Sequence, residues 1–240
     1  MKRVLLTIVV SWVCLISAKA QQTAGTSGLL NTPSADFNPD GTFSLGINYL
    51  PETVTPDWFD YPTGNFFLNI TYFSFLELTF RTTLQRVPQN GNKMSNQDRS
   101  LSLRLRALKE SYYLPAVVIG SNDILTSKFS TIINNDRKDN QFFGSVYGVA
   151  TKNLSISDNT VGLTFGYEYA TDRMSQFTGI LAGIRFSPAF YTPLSLIVEY
   201  DADNMNIGTS VLLFKHIYLQ VFTSEFKNIS AGIAYRGQLH

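Results

Sequence analysis

The stretch GLLNTPSADFNPDGTFSLGINYL, residues 28–50, begins rich in turn-forming residues and ends in a strict two-residue alternation. Its second half places an apolar side chain at every other position, at Phe43, Leu45, Ile47 and Tyr49. A strand with this pattern has one apolar face and one small, polar face. It fits a half-buried sheet in water, and it equally fits a strand with lipid on one side and a wet lumen on the other. The remaining sequence has to distinguish the two.

The N-terminus predicts export. Lys2 and Arg3 precede an apolar run over residues 4–16, and residues 18–20 (Ala-Lys-Ala) supply the small residues of a signal-peptidase site. This is the pattern of a secretory signal peptide, and the apolar run is shorter than the roughly 18 residues that a spanning helix needs. Residues 1–20 are therefore predicted to be a signal peptide.

Composition narrows the classes of protein and partner. The only cysteine, Cys14, lies inside the predicted signal peptide, so we expect no disulfide, thiol nucleophile or cysteine metal site in the exported chain. The 19 basic and 18 acidic residues nearly balance, whereas a nucleic-acid partner normally requires a basic face. The length suits a single β-rich domain. We expect no nucleic-acid partner.

Alternation recurs along the chain and predicts about twelve strands with little helical periodicity between them. The clearest segments are residues 43–49, 65–75, 76–87, 100–107, 161–169, 194–200, 217–222 and 229–236. Weaker segments are residues 114–120, 142–150, 180–187 and 206–214. Residues 88–97 are expected to form a polar loop between two of these strands. The sequence therefore predicts an all-β, antiparallel fold.

Three features favour a barrel over a sandwich. The predicted strands have about 8 to 11 residues, which crosses a bilayer at a tilt. Tyrosine and phenylalanine gather near strand ends, where an interfacial girdle places them. The polar faces are rich in glycine, serine and threonine and carry fewer charges than a soluble surface. We predict a single antiparallel, up-and-down transmembrane β-barrel over residues 42–240, with an N-terminal segment, residues 21–41, that packs at or in the barrel.

A few charged residues fall on the polar strand faces. In a barrel these side chains point into the lumen, where desolvated charges persist only when they are paired or hydrated. We expect them to form an internal ion-pair network that either plugs a narrow barrel or lines a polar path. Its expected members are Glu77, Arg81, Arg104, Arg106, Glu168, Arg185, Glu199 and Arg236. The alternative is a set of scattered, solvated surface charges.

Patterns typical of enzymes are nearly absent. Beyond the predicted signal peptide the chain has two histidines, His216 and His240, and they form no pair at metal-ligand spacing. His216 is most simply a turn residue, although a Ser-His-Asp hydrolase would need it as the base. Residues 201–204 (DADN) have calcium-binding side chains, but such carboxylates more often form turns. The sequence predicts neither an enzyme nor a bound cofactor or metal.

Several segments together resemble the YjbH-like family of Gram-negative outer-membrane proteins. The opening stretch matches the start of that family, and residues 114–125 (LPAVVIGSNDIL), 147–153 (YGVATKN) and 194–208 (LSLIVEYDADNMNIG) match later elements in the expected order. The residues that carry the resemblance are Gly28, Thr32, Pro33, Asp40, Gly41, Gly120, Asp123, Tyr147, Lys152, Glu199, Tyr200 and Asp201.

The resemblance implies a β-barrel in the cell outer membrane that assists exopolysaccharide or capsule production or export. The partners it implies are outer-membrane lipid, an exopolysaccharide and other envelope proteins of polysaccharide export. Two alternatives stay open. One is a secreted β-sandwich that binds glycans, and the other is a small-solute channel of the outer membrane.

Overall fold

A computed structural model of the chain describes residues 20–55, 61–89, 92–126, 143–170 and 177–239. The predicted signal peptide lies outside these ranges apart from Ala20, and His240 also lies outside them. In the described ranges the strands β1 to β12 span Thr42–Leu50, Thr63–Tyr72, Leu76–Gln89, Asn92–Leu108, Ala116–Thr126, Ser145–Ile156, Asn159–Ala170, Gly179–Ser187, Leu194–Asp201, Met205–Leu213, Ile217–Ser224 and Asn228–Gln238. Two short 3-10 turns, Glu52–Val54 and Ala189–Tyr191, accompany them.

The strands close into one barrel. Each strand pairs antiparallel with its neighbours in sequence, and β1 pairs with β12 from Thr42↔Gln238 to Tyr49↔Ala231. Closure removes the free sheet edges that a sandwich would retain. The prediction of an all-β, up-and-down barrel of about twelve strands is confirmed, and the alternative of a β-sandwich is wrong. Among the described residues, no helix has the length and hydropathy to span a bilayer.

The barrel has two different ends. Short connections follow the even-numbered strands, such as residues 73–75 after β2 and 157–158 after β6, and β1 begins and β12 ends on the same side. We call this side the turn end. The odd-numbered strands end on the opposite side, which we call the loop end. Some of the sequence intervals that follow them are much longer, such as residues 127–144 after β5.

The two faces of the barrel wall have inverted polarity relative to a water-soluble protein. Outward side chains are apolar and exposed, as at Leu45, Ile119 and Phe165. Inward side chains are polar or charged and buried, as at Ser44 and Arg104, each 0% exposed. Successive side chains of each strand point to opposite faces of the wall, because strand side chains repeat with period two. An apolar outer band around a polar interior is the pattern of a barrel in lipid.

Aromatic side chains mark both ends of the outer face. At the turn end the exposed rings are Phe73, Tyr112, Tyr113, Phe190 and Phe214, and at the loop end they are Tyr49, Tyr169 and Tyr200. These positions agree with the strand ends at which the sequence placed an interfacial girdle. The outer surface therefore presents an apolar band between two aromatic rims.

Residues 20–38 lie inside the lumen, and we call this segment the plug. It connects to β1 at the turn end and folds on itself through the bridges Gln21↔Ser27 and Gly28↔Pro33. Every residue of the plug is buried except Asn31, which is half-buried. Its apolar side chains join the lumen core, where Leu29 and Leu30 lie in one cluster with Phe143, Ile197 and Phe222.

The strands extend further than the sequence suggested. The register of β3 with β4 continues to Gln89↔Asn92, so most of the expected polar loop over residues 88–97 belongs to strands. Outside the membrane a strand needs no apolar face, because backbone hydrogen bonds alone pair it with its neighbour. The apolar alternation that located the strands therefore underestimated their length. The strand expected at residues 114–120 also runs longer, because β5 continues to Thr126.

Candidate functional site

Glu199 in β9 holds the tip of the plug. Its carboxylate accepts hydrogen bonds from the backbone N–H groups of Leu30 (2.9 Å), Asn31 (2.6 Å) and Thr32 (3.3 Å). The side-chain amide of Asn206 donates to the same carboxylate at 3.0 Å. Hydrogen bonds to an ionised acceptor are stronger than neutral ones, and burial strengthens them further. One barrel side chain therefore fixes three consecutive plug residues.

The tip is a tight turn that depends on Gly28. The Leu29 N–H donates to the Thr32 carbonyl at 2.8 Å, and Gly28 pairs with Pro33. A Cβ atom at residue 28 would lie 2.6 Å from the Thr32 carbonyl oxygen, which is closer than real Cβ atoms approach. Only glycine fits there. The residues Gly28, Thr32 and Pro33, which carried the family resemblance, thus lie together in the segment that Glu199 binds.

Glu77 and Arg104 form a second anchor between β3 and β4. Arg104 Nη1 lies 2.8 Å from Glu77 Oε2, and both side chains are fully buried. Glu77 also accepts from the Ser27 N–H at 2.7 Å. Arg104 donates to the carbonyl oxygens of Ser34 and Asp36. The pair thus satisfies buried backbone groups on both sides of the plug tip, at Ser27 and at Ser34 and Asp36. An unpaired polar group in such a buried place would be costly.

Arg81 and Asp123 form a third anchor. Their side chains make a fully buried ion pair, and Arg81 Nη1 donates to the Ala24 carbonyl of the plug at 3.2 Å. Asp123 also accepts from the Phe143 N–H at 2.8 Å, and the Arg81 guanidinium lies 4.3 Å from the centre of the Phe143 ring. Asp123 has a left-handed φ of 53°, close to a register shift between β4 and β5. This local irregularity turns its carboxylate toward the lumen.

Arg185 in β8 binds the end of the plug that leads to β1. Its Nη2 atom lies 3.1 Å from Asp36 Oδ2 and donates to Asn153 Oδ1 at 2.8 Å. The Asn153 amide in turn donates to Asp36 at 3.2 Å. Nearby, the Ala35 N–H donates to Thr151 Oγ1 at 2.8 Å. The plug is thus tied to the wall along its whole length.

The eight lumen charges that the sequence proposed differ in what they contact among the described residues. Five contact the plug directly, and these are Glu77, Arg81, Arg104, Arg185 and Glu199. Glu168 accepts from the barrel residues Ser145 and Asn122 instead. Arg106 and Arg236 lie at the turn end, below the plug. Four of the five plug contacts are to backbone groups of the plug, and the fifth joins Arg185 to the Asp36 carboxylate.

Several residues of the family resemblance lie in the wall. Tyr147 and Gly120 face each other across β5 and β6, and the Tyr147 ring covers Gly120. Asp201 accepts from the side-chain amides of Asn31 (2.7 Å) and Asn206 (2.8 Å), so it supports the anchor at Glu199. Its other oxygen accepts from the N–H groups that follow it, which is the turn-forming role expected for residues 201–204.

The remaining residues of the resemblance lie at the barrel surface and rim. Lys152 pairs with Glu110 at 3.3 Å near the turn end, and both side chains are partly exposed. Asp40 accepts from the Phe73 N–H at 2.5 Å, next to Gly41 and the start of β1. Tyr200 points outward from the loop end of β9. The structure does not bring these residues together.

A cavity of about 820 Å³ opens at the turn end, and we call it the vestibule. The plug residues Phe37 and Asn38 line it on the lumen side. Its cationic residues are Arg106, Lys109, Lys215 and Arg236, and His216 also borders it. The sequence analysis missed Lys109 and Lys215. The available signal was their position, because each lies just after a strand that ends at the turn end.

His216 borders the vestibule at its rim. It lies in the short connection between β10 and β11, where its Nδ1 atom is 2.9 Å from the Arg236 carbonyl oxygen. Its ring stacks on Tyr235 with the ring centres 5.5 Å apart. The side chain thus helps to shape the rim of the vestibule, as a turn residue would.

Comparison with known families identifies one match over nearly the whole described chain. The profile of the YjbH family, described as exopolysaccharide biosynthesis protein YbjH, matches residues 20–237. The uncharacterized lipoprotein YjbH of Escherichia coli (strain K12) is 30% identical over 154 residues, which is 62% of this chain. The match spans about a fifth of that relative, 19% of its length.

Solved structures of outer-membrane barrels are similar in outline. The KdgM porin covers 82% of this chain with 11% identity and a TM-score of 0.45, and 99% of its own length is matched. An outer membrane channel from Pseudomonas putida F1 covers 86% with 12% identity and a TM-score of 0.43, over 98% of its length. Outer membrane phospholipase A from Escherichia coli covers 85% with 11% identity and a TM-score of 0.36, over 99% of its length. These scores are too low to transfer an activity.

Proposed function

The chain belongs to the YjbH family of exopolysaccharide biosynthesis proteins, and from this premise we propose that it assists the production or export of an exopolysaccharide or capsule. It is a β-barrel of the outer membrane, where its apolar band contacts lipid. Barrels of this class have their short turns on the periplasmic side. We therefore assign the turn end and the vestibule to the periplasm.

The observation that carries the proposal beyond the family is the plug. It occupies the lumen and is bound by ionised side chains of β3, β4, β8 and β9. Releasing it would leave buried charges without partners, which is costly. The barrel therefore works with its plug in place. It acts on the polymer or on export proteins from the periplasmic side, and it does not provide a permanently open pore.

Binding rather than catalysis is the proposed mode of action. The vestibule offers positive charge and aromatic surface, and His216 at its rim is bound to a backbone carbonyl. The proposed partners are the exopolysaccharide itself and other envelope proteins of polysaccharide export. The predicted signal peptide, residues 1–20, and the division into a segment 21–41 and a barrel 42–240 belong to the same proposal.

Deletion in the native host tests the function. Loss of the gene should lower the amount of surface exopolysaccharide, and expression of the wild-type chain should restore it. An unchanged polymer yield and composition after deletion would overturn the proposal.

A reversible lock on the plug tests whether the lumen must open. Ala35 N lies 2.8 Å from Thr151 Oγ1, so Ala35→Cys and Thr151→Cys place two thiols on residues in contact, and a non-reducing gel establishes whether the disulfide has formed. The chain has no other cysteine beyond Cys14, so the pair forms without competition. We expect the oxidised variant to restore polymer production as well as the wild type does. The two single-cysteine variants are the controls for the substitutions themselves.

Conductance provides the opposing outcome. The wild-type protein in planar bilayers should show no steady conductance, because the plug fills the lumen. Steady channels in the wild type and in the reduced cysteine variant, which close when that variant is oxidised, would indicate a small-solute channel. Failure of the oxidised variant to restore polymer, with recovery on reduction, would show that the polymer needs an open lumen. Either result would overturn the closed-barrel mode of action.

A further inference from the structure

We propose that the vestibule is a binding site for a short stretch of acidic saccharide. This inference rests on the proposed function and adds to it the chemical class of the ligand. It depends on three observations, namely the unbalanced positive charge of the cavity, its aromatic surfaces and its closure by the plug.

Positively charged side chains dominate the described lining of the vestibule. Arg106, Lys109 and Lys215 make no ion pair there, and no aspartate or glutamate is among the residues that line the cavity. Arg236 contributes a fourth cation, with its guanidinium 5.3 Å from the centre of the Tyr218 ring. Like charges gathered in a cleft repel one another and concentrate anions. The cavity is therefore suited to a ligand that carries more than one negative charge.

Arg106 is held ready for such a ligand. Its guanidinium lies 4.4 Å from the centre of the Phe37 ring, so the plug supports it from the lumen side. Its Nε–H is buried and has no hydrogen-bond partner among the residues that the structure describes. A planar guanidinium binds a carboxylate through two parallel hydrogen bonds. Little side-chain entropy is lost on binding when the group is already positioned.

Aromatic surface favours a sugar over a simple anion. Phe37 lines the cavity on the lumen side, and the stacked rings of His216 and Tyr235 border it at the rim. Rigid aromatic faces beside a few placed polar groups are typical of sites for organic ligands. The volume of about 820 Å³ also falls within the range of such sites. A free phosphate would not contact most of this aromatic surface.

Closure by the plug decides how the saccharide binds. Phe37 and Asn38 stand between the vestibule and the lumen, so a chain end or a short segment fits and a threaded polymer does not. Thr42 and Gln238 face the interior at the mouth, with a hydrogen bond of 3.0 Å between them. The site therefore opens toward the periplasm. Anionic phospholipid is the competing ligand, because Phe43 and Tyr235 also reach the outer surface.

The test measures binding of a glucuronic acid trisaccharide to the purified full-length barrel in a zwitterionic detergent, by calorimetry. A glucose trisaccharide is the neutral control, because it has a similar ring without the carboxylates. We expect binding of the acidic trisaccharide only, and weaker binding as salt is raised. Equal binding of both sugars, or of neither, would overturn the inference.

Matched variants locate the site. Lys109→Gln with Lys215→Gln changes two exposed residues and should weaken binding about fivefold to tenfold. Arg106→Gln should weaken it further, because this side chain is less exposed. Lys227→Gln removes an exposed lysine at the loop end and should leave binding unchanged. Equal affinities in the wild type and in all three variants would show that the anion binds elsewhere, and the inference would fail.

Two outcomes separate this inference from the function on which it rests. Displacement of the trisaccharide by phosphatidylglycerol vesicles, but not by phosphatidylcholine vesicles, would assign the vestibule to lipid and overturn the inference, while a polymer defect on deletion would still support the proposed function. Tight, variant-sensitive binding of the acidic trisaccharide supports the inference. If deletion then left the polymer unchanged, the proposed function would fail and the ligand class would stand.

Discussion

Arg104 and Arg106 lie two residues apart on β4 and both face the interior, yet their surroundings are opposite. Arg104 is fully buried, pairs with Glu77 and donates to plug carbonyl groups. Arg106 is half-buried, rests on Phe37 and makes no ion pair in the described part of the chain. The first arginine serves the stability of the plugged barrel, and the second is available to a ligand. The two side chains are of the same type and lie on the same face of the strand. Their position relative to the plug is therefore what separates the two roles.

The largest difference is expected from Arg104→Met against Arg106→Met. The first variant leaves Glu77 buried without its cation, which destabilises the barrel by about 3–5 kcal/mol. The second removes a partly exposed side chain with no paired charge, and its cost should stay within about 1 kcal/mol. The measurement is the temperature at which each protein loses its folded mobility on a detergent gel.

The double variant Glu77→Gln with Arg104→Met is the control for this comparison. It removes both charges, so it should recover part of the stability lost in Arg104→Met. Equal transition temperatures for the two single arginine variants would contradict the division between a structural and a ligand-binding arginine.

Glu199→Gln extends the comparison to the opposite charge. The substitution replaces one of the carboxylate oxygens that accept from Leu30, Asn31 and Thr32 with an amide group that cannot accept, and should loosen the plug by about 2 kcal/mol. Glu168→Gln is the matched control, because the described hydrogen-bond partners of Glu168 are the barrel residues Ser145 and Asn122. A buried reporter, Ala24→Cys, should react faster with a thiol reagent in the Glu199 variant and at the wild-type rate in the Glu168 variant. Equal labelling rates would show that Glu199 does not hold the plug.

A substitution that changes the packing of the barrel wall but no charge should have a smaller effect on stability. A Cβ atom at residue 120 would come within 2.6 Å of Tyr147 Cε2, so Gly120→Ala forces this buried ring to move. We expect a loss of about 1–3 kcal/mol from such overpacking. A Cβ at Gly148 would meet nothing within 4 Å, and Gly148→Ala should change the stability by no more than about 0.5 kcal/mol. Thermal transitions of the two variants test this, and a neutral Gly120→Ala would show that the wall is loosely packed there.

The sequence predicted the wall of the barrel well, because the direction of a strand side chain depends only on its position in the alternation. Phe66 and Leu68 point outward and Phe67 between them points inward, as a period of two requires. The inward placement of Glu77, Arg81 and Arg104 follows from the same rule. What the alternation does not contain is the height of each residue along the barrel axis.

The partners of the lumen charges were therefore not predictable. Arg81 and Asp123 lie on strands that are not neighbours, and Asp123 reaches the lumen through a local irregularity. Asn31 and Glu199 are 168 residues apart in sequence. Such contacts depend on the register of several strand pairs and on the path of the plug. The vestibule was missed for the same reason, since Lys109 and Lys215 lie in separate short connections that only closure of the barrel brings to one mouth.

Among the ion pairs, the smallest effect is expected at Lys152, although this residue carries part of the family resemblance. Its pair with Glu110 is partly exposed, so water already stabilises both charges and Lys152→Met should cost at most about 1 kcal/mol. The pair of Arg185 with Asp36 has nearly the same separation but is buried, and Arg185→Met should cost several times more because it removes the buried cation that pairs with the Asp36 carboxylate. Transition temperatures at low and high salt distinguish them, since salt screens the exposed pair alone. An equal loss of stability in both variants would mean that burial does not determine how much an ion pair contributes to the stability of this barrel. The contrast between Arg104 and Arg106 would then lose its physical basis.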